Sequence, residues 1–261
     1  MSDAPAVIEV RDVTLGYGDT VIQKDLSFDV RRGEVFVILG GSGSGKSSLL
    51  KAMIGLSPPL AGRILFDGED IVRAHGADRL RLLRRFGVMY QSGALFGSMT
   101  VLENTRLPLD EFSDLDASEK DLVALAKLNQ VGLLAAARRM PAELSGGMQK
   151  RPGIARAMAL DPGILFLDEP SAGLDPSTSA GLDEIIRELS RGLGITFVVV
   201  THELQSIFAI ADRCVMLDAA AGTLIAEGRP SELRDHSDNP TVRQFFLRQA
   251  APAAAQGSEA R

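Results

Sequence analysis

The 261-residue chain predicts an α/β fold built on a mixed, mainly parallel sheet. Three observations predict it. Val35-Phe36-Val37-Ile38-Leu39 is an apolar, β-branched run, followed by a glycine-rich loop and the helical pattern Leu49-Leu50-Lys51-Ala52-Met53-Ile54. Ile164-Leu165-Phe166-Leu167 and Ile195 to Val200 are two further apolar runs, the second nearly unbroken, as a strand buried on both faces requires. Between them, Asp175-Pro176 pairs an N-cap with a proline at the first helical position, opening a helix to about Leu193.

The other elements follow in order. Val7 to Leu15 has strand composition, Gly16 to Asp19 reads as a turn, and Val21-Ile22 with Leu26 to Val30 alternate apolar and polar. The helix after the glycine-rich loop stops at Gly55, since Pro58 and Pro59 prevent continuation. Gly62 to Ile71 is a strand meeting the Asp67-Gly68 turn. Ala77 to Arg85 is a basic helical stretch, either a solvated face or a phosphate- or lipid-binding patch. Gly87 to Tyr90 is a short strand ending at Gln91. Thr100-Val101-Leu102-Glu103 is a capping box, and its helix is expected to end near Pro108. Ser118 to Val131 has helical spacing, and a third helix is expected after Ser145. Beyond Val200 come a helix over about Glu203 to Ala211, two short strands around Ala220 to Gly222, and helices near Ser231 and from Val242 to Arg248. The Ala-rich tail from Ala250 reads as disordered.

Composition narrows the function. Acidic residues outnumber basic ones, 34 to 28, which disfavours nucleic acid as the main partner. One cysteine, Cys214, excludes an intramolecular disulfide and a cysteine-based metal site; its apolar neighbours predict burial. No apolar stretch has the length of a membrane span and the N-terminus has no signal-peptide pattern, so the chain is expected in the cytosol.

The chemistry centres on Gly40-Gly41-Ser42-Gly43-Ser44-Gly45-Lys46-Ser47-Ser48. A strand, this loop and a helix are the context in which GxxxxGK[ST] cradles phosphate. Glycines let backbone N–H groups converge on phosphate oxygens. Lys46 can reach the β- and γ-phosphates of ATP, and Ser47 offers a hydroxyl to Mg²⁺. The Ile164 to Leu167 strand delivers Asp168, a candidate Mg²⁺ ligand, and Glu169, a candidate base for the attacking water. Leu144-Ser145-Gly146-Gly147-Met148-Gln149 is open to two readings: an ordinary capped helix, or N–H groups exposed at a helix start as an anion site.

With that last motif, the order of motifs from Val7 to about Gly228 resembles the ABC ATPases. The resemblance implies a P-loop NTPase core with an antiparallel β-subdomain and an inserted helical subdomain. It divides the chain into 1–91 and 161–230 as the ATP-binding core, 92–160 as the helical part with the signature loop, and 231–261 as a C-terminal extension. It implies that Tyr17 stacks on adenine, although a plain turn tyrosine reads the same. It implies that Gln91 touches Mg²⁺ or the water, that Ser171 to Asp175 form the loop between two sites, and that His202 contacts the γ-phosphate. His75 and His236 receive no role. Two copies would sandwich ATP head-to-tail, with Ser145, Gly146 and Gly147 of one copy closing the phosphate loop of the other.

Tyr90 to Phe96, Met99 to Leu109 and Asn239 to Phe246 resemble the ATPase of MCE-linked lipid transporters of the Mla type. That branch implies phospholipid movement in a Gram-negative-type envelope. Its partners would be membrane permease subunits, an MCE-domain protein and a small cytosolic accessory protein, with the chain on the cytoplasmic face of the inner membrane. The alternatives are a motor for another solute such as an amino acid, a soluble ABC ATPase, and a non-hydrolysing module. The last is opposed by intact Lys46, Asp168, Glu169 and His202. Two residues depart from the family pattern, Met148 and Pro152. With Ser145 as N-cap, Pro152 falls in the helix interior, where it would kink the helix at a cost of ~3 kcal/mol.

Overall fold

Side-chain alternation explains how this sheet separates two cores. A computed structural model describes residues 4–247. Its larger sheet runs parallel through β9 (Arg213–Asp218), β3 (Val35–Gly40), β8 (Thr196–Val200), β7 (Ile164–Asp168) and β6 (Phe86–Met89), in that spatial order. An antiparallel strand, β10 (Thr223–Gly228), adds to β9 at the edge. Successive residues point to opposite faces. Val35, Val37, Leu39, Leu165, Leu167, Phe197 and Val199 therefore join one buried cluster, and Phe36, Ile38, Phe166, Val198 and Val200 join the other.

Each face is covered by what its side chains can bury. On the first, α5 (Arg151–Ala157), α6 (Pro176–Leu193) and α7 (Leu204–Ile210) contribute Ile154, Leu182, Ile186 and Ile207. On the second, α1 (Lys46–Met53) contributes Leu49, Leu50 and Met53. That face also meets a smaller antiparallel sheet, ordered β2 (Thr20–Arg31), β1 (Ala6–Tyr17), β4 (Ala61–Phe66) and β5 (Glu69–Asp70). Aromatic rings join the two sheets: Phe28 stacks on Phe36 at 5.5 Å, and Phe66, Phe86 and Phe166 pack with centroids 5.3–6.3 Å apart. Burying each ring contributes roughly 1.5–3 kcal/mol. The expected mixed sheet and antiparallel β-portion are both present. Gly87 in β6 lies so close to the Ala157 carbonyl that a Cβ there would overlap it, which is how α5 seats directly on the sheet.

Residues 92–160 contain α3 (Val101–Phe112), α4 (Ala117–Gln130) and α5, and no strand. The capping box at the start of α3 is formed as expected: Thr100 Oγ1 accepts from Glu103 N at 3.2 Å, and Glu103 Oε2 accepts from Thr100 N at 2.7 Å. The end of α3 differs from expectation. Pro108 lies inside the helix, which continues to Phe112 because Leu109 is buried beyond it. Tertiary packing here overrides the local cost of one missing N–H. Asp116 and Glu119 form a second capping box at α4.

The helix expected after Ser145 is also corrected. Residues 146–150 are turns, with Gln149 N donating to Ser145 O at 3.0 Å, and regular helix starts only at Arg151 with Lys150 as its N-cap residue. Pro152 is therefore in the first turn of α5, where its missing N–H has no intrahelical acceptor in any case. The interior-proline penalty does not apply.

The basic stretch, α2 (Gly76–Leu83) with the residues after it, is ion-paired within the chain. Arg81 donates to Glu69 at 2.9 Å, and Arg85 donates to Glu69 at 3.2 Å and also to Asp67. Cys214 is wholly buried in β9. Helices α8 (Pro230–His236) and α9 (Pro240–Leu247) follow β10, with Val242 and Phe246 joining the first core. The tail from Ala250 lies outside the described residues. No helix among the described residues is long and apolar enough to cross a membrane.

Candidate active site

Strand register gathers the candidate residues. Gly40 pairs with Leu217, Ile38 and Asp168 both pair with Val200, and Leu167 pairs with Met89. The segments that leave these strands, Gly41 to Ser48, Glu169, Thr201-His202 and Tyr90-Gln91, therefore emerge from one edge, where ligands bind in open α/β sheets.

The glycine-rich loop turns back through two left-handed residues, Gly43 at φ 77° and Gly45 at φ 84°, which side chains rarely tolerate. α1 then starts at Lys46 with no side-chain cap, so its first N–H groups are available to an anion. Lys46 Nζ donates to the carbonyls of Gly40 and Gly41, each at 2.9 Å. Burial lowers the pKa of this ammonium, and the charges of Glu169 and Asp168 oppose that shift. Ser44 Oγ is buried with no partner, while Gly41, Ser42 and Ser47 are exposed. The exposed Tyr17 ring ends β1, and its hydroxyl lies 3.1 Å from Ser48 Oγ in α1. One edge of the ring is thus tethered beside the loop and its face is open for stacking.

The acidic pair sits opposite. Asp168 Oδ1 and Glu169 Oε2 are buried and without hydrogen-bond partners. Burial raises the Asp168 pKa first, and the Glu169 charge raises it further. Unpaired buried carboxylate oxygens are hard donors of the kind Mg²⁺ accepts, so the residues present fit the ion. Glu169 itself is left-handed, at φ 47°, a conformation that costs about 1–3 kcal/mol in a non-glycine residue. Its N–H donates to Val200 O at 2.8 Å, and its Oε1 lies 2.8 Å from His202 Nδ1. Lys46, Asp168, Glu169 and His202 are thereby brought to one place.

The remaining candidates lie around this centre. Gln91 is exposed, and its backbone oxygen accepts from the buried Lys150 ammonium. Arg156 donates to Gly93 O and Ala94 O, each at 2.8 Å, and Gly153 packs against Gly93. Ser145 and Gly146 are exposed, and Gly147 packs on Thr178 so tightly that a Cβ would overlap that side chain. Among the described residues no hydrogen bond joins 145–147 to the chain's own phosphate loop. Asp175 is occupied as the N-cap of α6, accepting from Ser177 N and Thr178 N at 3.1 Å and from Thr178 Oγ1 at 2.5 Å. Those bonds, the Thr178 hydroxyl first, lower its pKa.

Two features were not anticipated from the sequence. The Lys150 and Arg156 grip on loop 91–94 is one; their partners lie about sixty residues away with no local signal. The other is an apolar groove of about 520 Å³ beside that loop, lined by Leu80, Val88, Phe96, Leu107, Phe112 and Leu160. Leu80, Phe96 and Phe112 are 41–51% exposed, and the Arg84 guanidinium lies over the Phe112 ring at 5.5 Å.

Comparison with known proteins adds the following. The ABC transporter family model matches residues 23–172. A Mycobacterium leprae protein, the probable ribonucleotide transport ATP-binding protein mkl, is 42% identical over 239 residues, spanning 92% of this chain and 68% of that protein. The intermembrane phospholipid transport system ATP-binding protein MlaF of Escherichia coli K12 is 40% identical over 240 residues, spanning 92% of this chain and 88% of that one. Among solved structures, the bacterial ABC transporter cassette MJ0796 superimposes with a TM-score of 0.76 at 30% identity, covering 85% of this chain and 98% of that one. It has been seen as a dimer and in a post-hydrolysis state with ADP and Pi.

Proposed function

The chain belongs to the ABC transporter family, and from that premise we propose that it is the ATP-hydrolysing subunit of a membrane transporter for phospholipid or a similar lipid. One observation carries the hydrolytic part: the Glu169–His202 contact of 2.8 Å, beside Asp168 and Lys46 at the phosphate loop. Gly40 to Gly45 and the start of α1 receive the phosphates, Lys46 exchanges its two carbonyl partners for phosphate oxygens, and Tyr17 stacks on the adenine. Ser47 and Asp168, with Gln91, would hold Mg²⁺, which would supply neutralisation of phosphate charge there. Glu169 accepts the proton of the attacking water, and His202 holds the Glu169 carboxylate in place.

A second copy completes the site. Ser145 and Gly146 are exposed and unbonded to their own phosphate loop, which supports a head-to-tail pair in which residues 145–147 of one copy face the phosphate held by the other. In this reading 92–160 is the helical subdomain, 1–91 and 161–230 the ATP-binding core, and 231–261 an extension. Asp175 lies beside the shared interface as a helix cap. In the same reading the exposed apolar groove at Phe96 is where the permease docks, and the chain sits peripherally on the cytoplasmic face of the inner membrane, with MCE and small accessory proteins as further partners.

The lipid assignment is supported by the likeness to MlaF and by the Ser92 to Phe96 stretch. The likeness to the mkl protein favours a second reading, ribonucleotide transport. The test is reconstitution with the permease in phospholipid vesicles. The wild type should couple ATP hydrolysis to phospholipid transfer, and Glu169→Gln should bind ATP, accumulate closed dimers and stop both. Near-normal hydrolysis by the variant removes Glu169 as the base; hydrolysis without phospholipid transfer removes the lipid assignment.

A further inference from the structure

Two consecutive carbonyls at the end of β9 stand behind the two ends of the phosphate loop. Leu217 O lies 2.5 Å from where a Cβ on Gly40 would stand, so the loop's entry rests on β9 directly. Asp218 O reaches the loop's exit through an intermediary, Gln23 of β2. Gln23 Nε2 donates to Asp218 O at 2.9 Å, and Gln23 Cγ lies 3.0 Å from where a Cβ on Gly45 would stand. Gln23 is wholly buried. Its amide can face only one way, because a carbonyl oxygen accepts and cannot donate. Nε2 therefore takes Asp218 O, and Oε1 is left with no hydrogen bond among the described residues.

Stability does not account for a glutamine at this position. Asp218 O also accepts from Gly222 N at 3.0 Å, so it keeps a partner if the Gln23 amide is removed. The adjoining main chain is held without that amide: Lys24 N donates to Gly222 O and Thr223 Oγ1 donates to Lys24 O, each at 2.9 Å. An apolar side chain of similar size would orphan nothing and would remove an unpaired acceptor, a change that is neutral or stabilising. What it could not do is fix the far end of the side chain. Gly45, at φ 84°, has no Cβ to select its own conformation. The atoms nearest its missing Cβ belong to Gln23 and Ile22, whereas Gly41 and Gly43 have nothing within 4 Å of theirs among the described residues.

We propose that Gln23 is a positioning residue for phosphate binding. Pinned to Asp218 O at one end and packed on Gly45 at the other, it holds the exit of the loop where the N–H groups at the start of α1 face the phosphates. One strand end thereby sets both ends of the loop, directly at Gly40 and through Gln23 at Gly45. A methionine at 23 would still touch Gly45, but its flexible chain would have no fixed end. The loop would then spend less of its time in the receiving shape, and affinity falls in proportion to that fraction.

This inference rests on the reading of Gly40 to Ser48 as a phosphate site, and its test separates the two. Affinities for ATP and for inorganic tripolyphosphate are measured on the full chain by displacement of a fluorescent ATP analogue. Gln23→Met should weaken both by the same factor, about three- to tenfold, the worth of one net hydrogen bond. KM for ATP should rise with them, while kcat at saturating ATP stays within about twofold. The melting temperature should be no lower than that of the wild type. Gln23→Leu, which also lacks the amide, should repeat the result and decides the matter if Gln23→Met fails to fold. Unchanged affinities in both variants overturn the proposal. So does a loss confined to ATP, which would route the effect through the adenine side and Tyr17. A melting temperature that falls together with affinity makes the residue merely structural and overturns it as well. A wild type that binds neither ATP nor tripolyphosphate overturns the phosphate-site reading itself.

Discussion

Replacing Pro152 by alanine gives opposite results under two descriptions of the signature region. If Pro152 stood inside a helix begun at Ser145, removing it would relieve about 3 kcal/mol of lost hydrogen bonding and steric clash. In the structure it stands in the first turn of α5, buried, with Gly153 N and Ile154 N both reaching back to Lys150 O at 3.1 and 3.4 Å. The substitution then removes two buried ring carbons, a loss of about 1.6 kcal/mol at ~0.8 per methylene. It also frees the unfolded chain, a further loss of about 0.4–1 kcal/mol. A new N–H finding the Met148 carbonyl would return at most about 0.5–1.5 kcal/mol. The net expectation is a destabilisation of roughly 1–2 kcal/mol, or a fall in Tm of about 2–8 °C for a chain of this size. Urea unfolding monitored by circular dichroism, together with a thermal melt, measures it. A Pro152→Ala protein more stable than wild type would refute the first-turn placement and restore the interior one.

Asp168→Asn should raise the melting temperature at neutral pH while abolishing Mg²⁺-dependent hydrolysis. The sign follows from the raised pKa: the folded state holds the proton more tightly than the unfolded one, whose value is 3.8, so stability falls as pH rises from there through the folded value. Asparagine removes that loss, and melts at several pH values in magnesium-free buffer should show the two proteins converging below pH 3.8. Phe96→Asp should release the chain from its permease in a detergent pull-down while leaving ATP binding within about twofold, since a charge in an apolar groove costs affinity only where the groove is covered. Equal recovery of both proteins would remove that groove as the docking site.

The elements legible in the sequence were those whose cause is local. Val35 to Leu39 and Ile195 to Val200 announce buried strands by composition, and Thr100 and Asp175 announce helix starts by hydrogen bonds that close within three residues. The phosphate loop and the Asp168-Glu169 pair are legible because strand ends and the candidate site groups coincide in sequence. What failed was punctuation by proline and serine. Pro108 reads as a stop, yet the burial of Leu109 carries α3 past it, and Ser145 reads as a cap, yet regular helix begins only at Arg151 with Pro152 in its first turn. The close seat of Ala157 on Gly87 has no sequence signal at all, because the two are joined only by the folded topology.

The grip on loop 91–94 has a consequence for how such a chain can diverge. Lys150 and Arg156 hold main-chain oxygens of Gln91, Gly93 and Ala94, and every residue type carries one. The exposed Ser92 side chain can therefore change while the main-chain tie to α5 stays intact, whereas Ala94, at φ 47°, is restricted to residues that accept a left-handed backbone. On the docking proposed above, recognition at this corner can drift at Ser92 without loosening the loop from the helix behind it.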